Sequence, residues 1–331
     1  MASVKNKPYK QWIFTFAKLL VTAGILFYIF HKYVNLNDFL LAFGQVQPWA
    51  FFFLVALVAV NKYLVAFQTG YYFNKIFDIS LRTNYIFKAH QISAFYGLIL
   101  PGDLAGGVIT WYYFAEKTGK KVDSATVIIF LRLLNIITVM AFAALGLVFE
   151  KKLISLGLQV YIIIIAALLL LMFIPFVWSK AATILKNVLH SIINIIPVAS
   201  WRNKISLLND KLCDSIITCT KAKLGVVLIT FALSLISQLI MICYTYFLML
   251  MVGINLPFQV SVWLIGAITL VQLLPISFAG LGVRDISILY LLDKFYQIQP
   301  EKSMVLSSFF LVYSLIFILL GGFYSLKMKK T

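Results

Sequence analysis

Acidic residues are what this chain of 331 residues most lacks: 11 Asp and Glu stand against 28 Lys and Arg, a formal net charge of +17. Charge of either sign is scarce at 12%, about half of what a soluble globular domain carries. Water is therefore not the main solvent. Cysteine is almost absent. Cys213, Cys219 and Cys243 are odd in number and lack metal-type spacing, which excludes a disulfide framework and leaves them as small apolar residues. The three histidines, His31, His90 and His190, are scattered, and no H-E-x-x-H, nucleophile elbow or phosphate-cradling P-loop occurs. Soluble-type enzymology, a metal site and a nucleotide cofactor are thus not expected.

What the chain has is apolar surface: 62% of residues are hydrophobic and 16% aromatic, which excludes disorder. A basic excess of this size suits either nucleic acid or an anionic membrane surface. The apolar runs decide for the membrane, and no nucleic-acid partner is expected. Six segments are long enough to cross the hydrocarbon layer, which takes about 20 apolar residues: 12–30, 47–72, 124–149, 156–178, 224–252 and 303–326. The first is too long for a signal-peptide core and reads as an uncleaved span, with Lys18 snorkelling to the headgroups. Two further stretches, 84–115 and 259–293, are interrupted at the middle by proline and glycine. These remove hydrogen bonds from the helical ladder and leave a pair of short half-helices in each. A re-entrant hairpin and two tilted short spans both fit such a pair, and either returns the chain to its starting side.

Loop charges set the orientation. With the N-terminus inside, inner segments hold 19 Lys and Arg and outer segments 5, the other four lying within apolar segments. Both termini are expected in the cytoplasm, in a multi-pass protein of the inner membrane. The chain also repeats itself. Leu100-Pro101-Gly102-Asp103-Leu104-Ala105-Gly106 and Leu274-Pro275-Ile276-Ser277-Phe278-Ala279-Gly280 both fit L-P-x-x-[LF]-A-G. Each break follows two full spans and precedes one, and the two hairpins enter from opposite sides. The expectation is a single all-α integral membrane domain over 1–331 with an inverted-topology repeat, its halves being 12–149 and 156–326. Transporters of that plan place their substrate where half-helix ends meet near the midplane. Two kinked helices without repeat symmetry are the alternative. Between the halves, 180–223 carries two apolar stripes, Ile184 to Ile193 and Trp201 to Cys219, at helical spacing. They predict amphipathic helices on the inner leaflet, with lysines toward anionic headgroups.

An ionised side chain at mid-membrane costs about 2.5–3.5 kcal/mol on insertion scales, so each one must face a cavity or a partner. The candidates are few. Lys62 follows Asn61 in the second span; His90 and Gln91 precede the first break; Arg132 and Asn135 share a face of the third full span; Arg284 and Asp285 follow the second break. Gly106 and Gly107 precede one half-helix, and Gly280 and Gly282 the other, where glycine lets a ligand approach the main chain. Half-helix N-termini in a shared cavity would favour an anion, with a lipid phosphate the natural one in this solvent and the planar forks of Arg284 and Arg132 as its full charges. Alternatively Arg284 pairs with Asp285 and Arg132 bonds carbonyls freed at the breaks. Asp103 and Asp285 could form a general acid/base pair if the repeat brings them together.

The segments Leu274 to Asp285 (L-P-I-S-F-A-G-L-G-V-R-D), Leu100 to Gly107 (L-P-G-D-L-A-G-G) and Phe130 to Asn135 (F-L-R-L-L-N) resemble the lysylphosphatidylglycerol synthase transmembrane-region family over roughly residues 12–326. That family is a flippase-like domain, found alone or fused to an aminoacyltransferase in the phosphatidylglycerol lysyltransferases. The resemblance implies a polytopic protein that moves or handles lipids. Its second motif usually ends in Arg-Glu, and here Asp285 follows Arg284. Its first motif often runs on to an acidic residue and an arginine, where this chain has Val108, Ile109, Thr110 and Trp111. An acidic residue often stands where Asn135 does. Nothing after 326 could hold the soluble aminoacyltransferase, so the chain is expected not to be an enzyme of that kind.

The reading is a flippase-like transporter that moves a phospholipid or lipid-linked intermediate between leaflets of the cytoplasmic membrane. Its substrate site is built from Arg284, Asp285, Gly280, Gly282, Pro275, Pro101, Asp103, Gly106, Gly107, Arg132, Asn135, Lys62 and Gln91, with no cofactor or metal. A membrane-embedded transferase on a lipid-linked substrate and a non-catalytic partner of a lipid-modifying enzyme are the alternatives.

Overall fold

The computed structural model describes residues 36–44, 47–99, 105–148, 158–194, 199–273 and 282–328, together with Phe27. The expected span 12–30 apart from Phe27, and the break residues Pro101, Asp103, Pro275 and Gly280, lie outside them. Every described element is a helix. They are α1 (Leu36–Gly44), α2 (Pro48–Phe77), α3 (Thr83–Ile99), α4 (Ala105–Thr118), α5 (Lys121–Val148), α6 (Leu158–Val177), α7 (Ser179–Asn194), α8 (Ala199–Thr220), α9 (Leu224–Met251), α10 (Phe258–Leu273), α11 (Val283–Tyr296) and α12 (Pro300–Met328).

Helices α2, α5, α9 and α12 are each long and apolar enough to cross a membrane. Only helices satisfy every backbone polar group inside hydrocarbon, which is why so apolar a chain folds this way. Large apolar side chains such as Phe52, Leu228, Ile236 and Leu319 remain exposed along these helices, as suits a surface solvated by lipid. Helix α6, 20 residues long and almost wholly apolar, turns by 104° at Trp178 into α7, whose Ile184, Val188 and Ile192 are exposed. The segment 180–223 is thus two amphipathic helices, α7 and α8. Lys186 ties them together, 2.9 Å from Asp214 and 3.6 Å from Asp210. Ser215 of α8 donates to Asp123 of α5 at 2.8 Å, which seats α8 against the end of α5. All three cysteines are free.

The four helices α2–α5 and the four helices α9–α12 follow one pattern. Lengths of 30, 17, 14 and 28 residues recur as 28, 16, 14 and 29. The short helices of each set fold back on one another: Tyr85 of α3 donates to the Tyr113 carbonyl of α4 at 2.8 Å, and the Ser93 hydroxyl donates to the Gly106 carbonyl. In the second set the Trp263 and Tyr296 rings stack at 6.4 Å between the start of α10 and the end of α11. In each set the two short helices on either side of the break pack against one another. The glycines of the first break begin within the helix rather than before it, since α4 starts at Ala105 and its first turn contains Gly106 and Gly107.

The two sets run in opposite senses. Helices α2 and α9 pair antiparallel, with Gln68 bonded to Thr230, Asn61 to Ser237, and Phe53 against Phe247. The remaining contacts exchange in the same way, because α3 packs on α12 and α10 packs on α5. Each of these crossings closes on a glycine. A Cβ at Gly321 of α12 would collide with the Gln91 carbonyl of α3, and one at Gly266 of α10 would collide with the Ala143 side chain of α5. Small residues let helix backbones approach where lipid supplies no hydrophobic drive to associate. A twofold relation follows, and its axis can be located. Equivalent helices paired antiparallel meet at equivalent residues only on the axis. Leu274 lies 174 residues beyond Leu100, and the Asn61–Ser237 bond spans 176, so Asn61, Lys62 and Ser237 stand level with it.

Candidate functional site

Two adjoining cavities of about 380 and 370 Å³ open between the two sets of helices. They share the walls Val65, Asn135, Gln238 and Thr269, and so form two lobes of one polar space. The first lobe takes in Arg132 of α5, His90 of α3, and Gly107 and Thr110 of α4. The second takes in Asn61 and Lys62 of α2, Gln272 of α10, and Tyr313 and Ser314 of α12. Both helix sets line both lobes.

Arg132 is exposed into its lobe and forms no ion pair or hydrogen bond with any described residue. Its Nη1 lies 3.6 Å from where a Cβ on Gly107 would stand, so the guanidinium sits against the first turn of α4. The early N–H groups of a helix have no partner within the helix and carry the positive end of its dipole. His90 shares this lobe. Its ring meets Phe114 edge-on at 5.7 Å, and its buried Nε2 has no partner.

Lys62 stands fourteen residues into α2, about 21 Å from its start at 1.5 Å per residue. The hydrocarbon edge lies about 15 Å from the midplane, beyond the reach of a lysine side chain of about 6 Å. Its ammonium lies 5.2 Å from the Phe317 ring centroid and meets no carboxylate among the described residues. An ionised side chain this deep is costly, and the ring face offsets part of that cost.

A hydrogen-bonded net joins the halves at the shared wall. Gln68 Nε2 donates to Ser234 Oγ at 2.6 Å and to the Thr230 carbonyl at 2.9 Å; Ser234 in turn donates to Asn135 Oδ1 at 2.9 Å. Gln238 Nε2 reaches the Asn135 carbonyl at 3.4 Å, and Ser237 donates to Asn61 Oδ1 at 2.8 Å. Asn135 therefore acts as the joint between α5 and α9. Gln68, Ser234, Ser237 and Gln238 were not singled out from the sequence, although a signal was present. Thr230, Ser234 and Ser237 or Gln238 recur at three- and four-residue spacing and Thr245 follows two turns on, one polar stripe on an otherwise apolar span.

Arg284 and Asp285 stand elsewhere. Both are 4% exposed, and neither lines the two lobes. Asp285 Oδ1 accepts Arg284 Nη2 at 2.9 Å, Arg284 Nε at 3.1 Å and the Ser307 hydroxyl, while Oδ2 accepts the Gly282 N–H at 2.8 Å. Arg284 Nη2 also reaches the Ser307 carbonyl at 3.2 Å, and the guanidinium lies over the Phe310 ring. Gly282 makes this possible by taking φ +81° at the N-cap of α11, a region that favours glycine. The alternative of an Arg284–Asp285 pair is what the structure contains, and the pair clips α11 to α12. Gln91 is likewise buried away from both lobes, at the α3–α12 crossing, with its Oε1 unpaired. Of the expected residues, the structure gathers Lys62, Gly107, Arg132 and Asn135 around one space and sets Gln91, Gly282, Arg284 and Asp285 at helix junctions. Gly106 lies next to Gly107, facing Ser93 and Gly97.

No group of three or more His, Cys, Asp or Glu residues that could hold a metal ion occurs among the described residues. No curated protein and no solved structure matches the chain significantly. The profile of one family does, that of the lysylphosphatidylglycerol synthase TM region, over residues 15–322. With a match across nearly the whole chain, this all-α polytopic membrane protein belongs to the lysylphosphatidylglycerol synthase TM region family, membrane domains linked to lipid modification.

Proposed function

We propose that the protein carries a lipid headgroup between the leaflets of the cytoplasmic membrane through the two-lobed cavity. The observation behind this reading is the position of that space. It lies where two oppositely oriented helix sets cross, level with Lys62, and both sets supply its walls. Rocking one set against the other would present the cavity to each leaflet in turn, the motion to which inverted repeats are suited. The clip at Arg284–Asp285 holds α11 to α12 within the second set, whereas the glycine crossings at Gly266 and Gly321 and the Asn135 net join the two sets and form the seam across which they would move. The excess of Lys and Arg in the expected inner loops supports an orientation with both termini in the cytoplasm.

Leaflet exchange in liposomes tests the proposal. Vesicles holding the purified protein and acyl-labelled NBD phospholipids are treated with dithionite, which quenches the outer leaflet alone. Loss of the protected inner fraction faster than in protein-free vesicles supports translocation. Exchange no faster than in empty vesicles, for every headgroup, refutes it.

A further inference from the structure

The charges of the cavity define what it can receive. Each lobe holds one basic side chain, Arg132 in the first and Lys62 in the second, and neither has a carboxylate partner among the described residues. Every described carboxylate lies outside the lining of both lobes. Asp123 is bonded to Ser215, Asp210 and Asp214 face Lys186, and Asp285 holds Arg284. The others stand in the end turns of helices or just past them: Asp38, Asp78, Glu116, Asp293 and Glu301.

We infer that the group received by this cavity carries net negative charge: a phosphate-bearing group without an ammonium of its own, held by Arg132 at the first turn of α4 and balanced by Lys62. The inference rests on the proposed function and narrows it. A planar guanidinium offers two parallel N–H bonds to phosphate oxygens. Beside it the early N–H groups of α4 face an anion with no cost of reorganisation, the Thr110 hydroxyl lines the same wall, and the unpaired His90 Nε2 supplies a further polar contact. A cationic headgroup, such as a phospholipid esterified with lysine, would bring an ammonium into a space that already holds the unpaired Arg132 guanidinium and the Lys62 side chain, with no described carboxylate. Like charges repel most strongly where the dielectric is low. The two lobes are also large enough to enclose a small polar head, since ligand cavities usually span about 300–1,000 Å³.

The test reads lipid retained by the full chain in detergent by native mass spectrometry, with dioleoylphosphatidylglycerol, dioleoylphosphatidylcholine and lysyl-phosphatidylglycerol supplied at equal concentration. The expected result is retention of the anionic lipid at least about tenfold above the cationic one, the size of a single charge-assisted hydrogen bond. Arg132→Gln and Lys62→Met should each lower retention of the anionic lipid. Arg132→Glu should reverse the order of anionic and cationic lipids, which a merely structural arginine would not do. Equal or greater retention of the cationic lipid by the unmodified protein overturns the inference, whether or not any variant folds. sn-Glycerol 3-phosphate separates two sources of the same chemistry. Displacement of lipid by this soluble phosphate at matched concentration assigns the site to a soluble anion, and failure to displace assigns it to a headgroup. Retention of anionic lipid without leaflet exchange would refute translocation and leave the charge assignment standing.

Discussion

Arg284 and Asp285 are neighbours in sequence and partners in space: the guanidinium lies 2.9 Å from the carboxylate, whose other oxygen takes the Gly282 N–H at 2.8 Å. The carboxylate thus neutralises a buried charge and caps α11 at the same time. Removing one member of a buried pair leaves the other charge unpaired, at about 3–5 kcal/mol. Asp285→Asn is expected to lower the unfolding midpoint of the purified protein sharply, and Arg284→Met in that background to recover part of the loss. An unchanged midpoint in Asp285→Asn would show that the clip does not hold the fold.

The glycine crossings make a second prediction. Gly321→Val and Gly266→Val force side chains into the Gln91 carbonyl and the Ala143 side chain, and overpacking of this kind costs about 1–3 kcal/mol or more. Both variants should lose yield and thermal stability. Gly225→Ala is the control, since nothing lies within 4 Å of a Cβ there and alanine favours the helix.

At Gly107 the size of the side chain separates packing from transport. A Cβ at that position meets Arg132 Nη1 at 3.6 Å, an ordinary contact, so Gly107→Ala should fold and exchange lipid normally. Gly107→Leu should fold as well but slow exchange by about tenfold, roughly 1.4 kcal/mol, by standing between the guanidinium and the start of α4. Normal exchange in Gly107→Leu would remove the Arg132 lobe from the lipid path.

The net around Asn135 predicts non-additivity. Ser234→Ala breaks its bond to Asn135 Oδ1 and leaves Gln68 Nε2 with the Thr230 carbonyl alone. Hydrogen bonds between membrane helices are worth about 0.6 kcal/mol on average and about 1.7 at most. The loss from Ser234→Ala, read by thermal unfolding, should shrink in an Asn135→Leu background, because the two side chains act through one bond.

Helices α7 and α8 can be placed by depth. Trp178 and Trp201 are 54% and 69% exposed at the turn and on the amphipathic pair. Single-tryptophan versions should be quenched most strongly by lipids brominated near the headgroup. Strongest quenching by bromines near the chain ends would put these helices inside the hydrocarbon instead.

The architecture was legible in the sequence because its causes are local. An apolar run of about 20 residues can satisfy its backbone in lipid only as a helix, and a proline–glycine break can only interrupt one. The L-P-x-x-[LF]-A-G match pointed to the same repeat that the helix lengths of the two sets display. The division of labour between the two arginines was not legible. Arg132 and Arg284 each stand in an apolar segment, and the adjacency of Asp285 to one of them does not by itself show which arginine is paired. Which one is free depends on Asp285 curling back to its own N-cap and on Ser307 arriving from α12, and on a helix register that leaves Arg132 facing a cavity no described carboxylate lines. The polar seam also needed two distant helices. Gln68 and Ser234 are 166 residues apart, and their bond exists because α2 and α9 run antiparallel across the axis. Sequence by itself determined the solvent, the helices and the breaks, since these follow from how each segment meets lipid. The tertiary structure alone decided which charges are paired and which face the cavity, because pairing depends on what other segments bring within 3 Å.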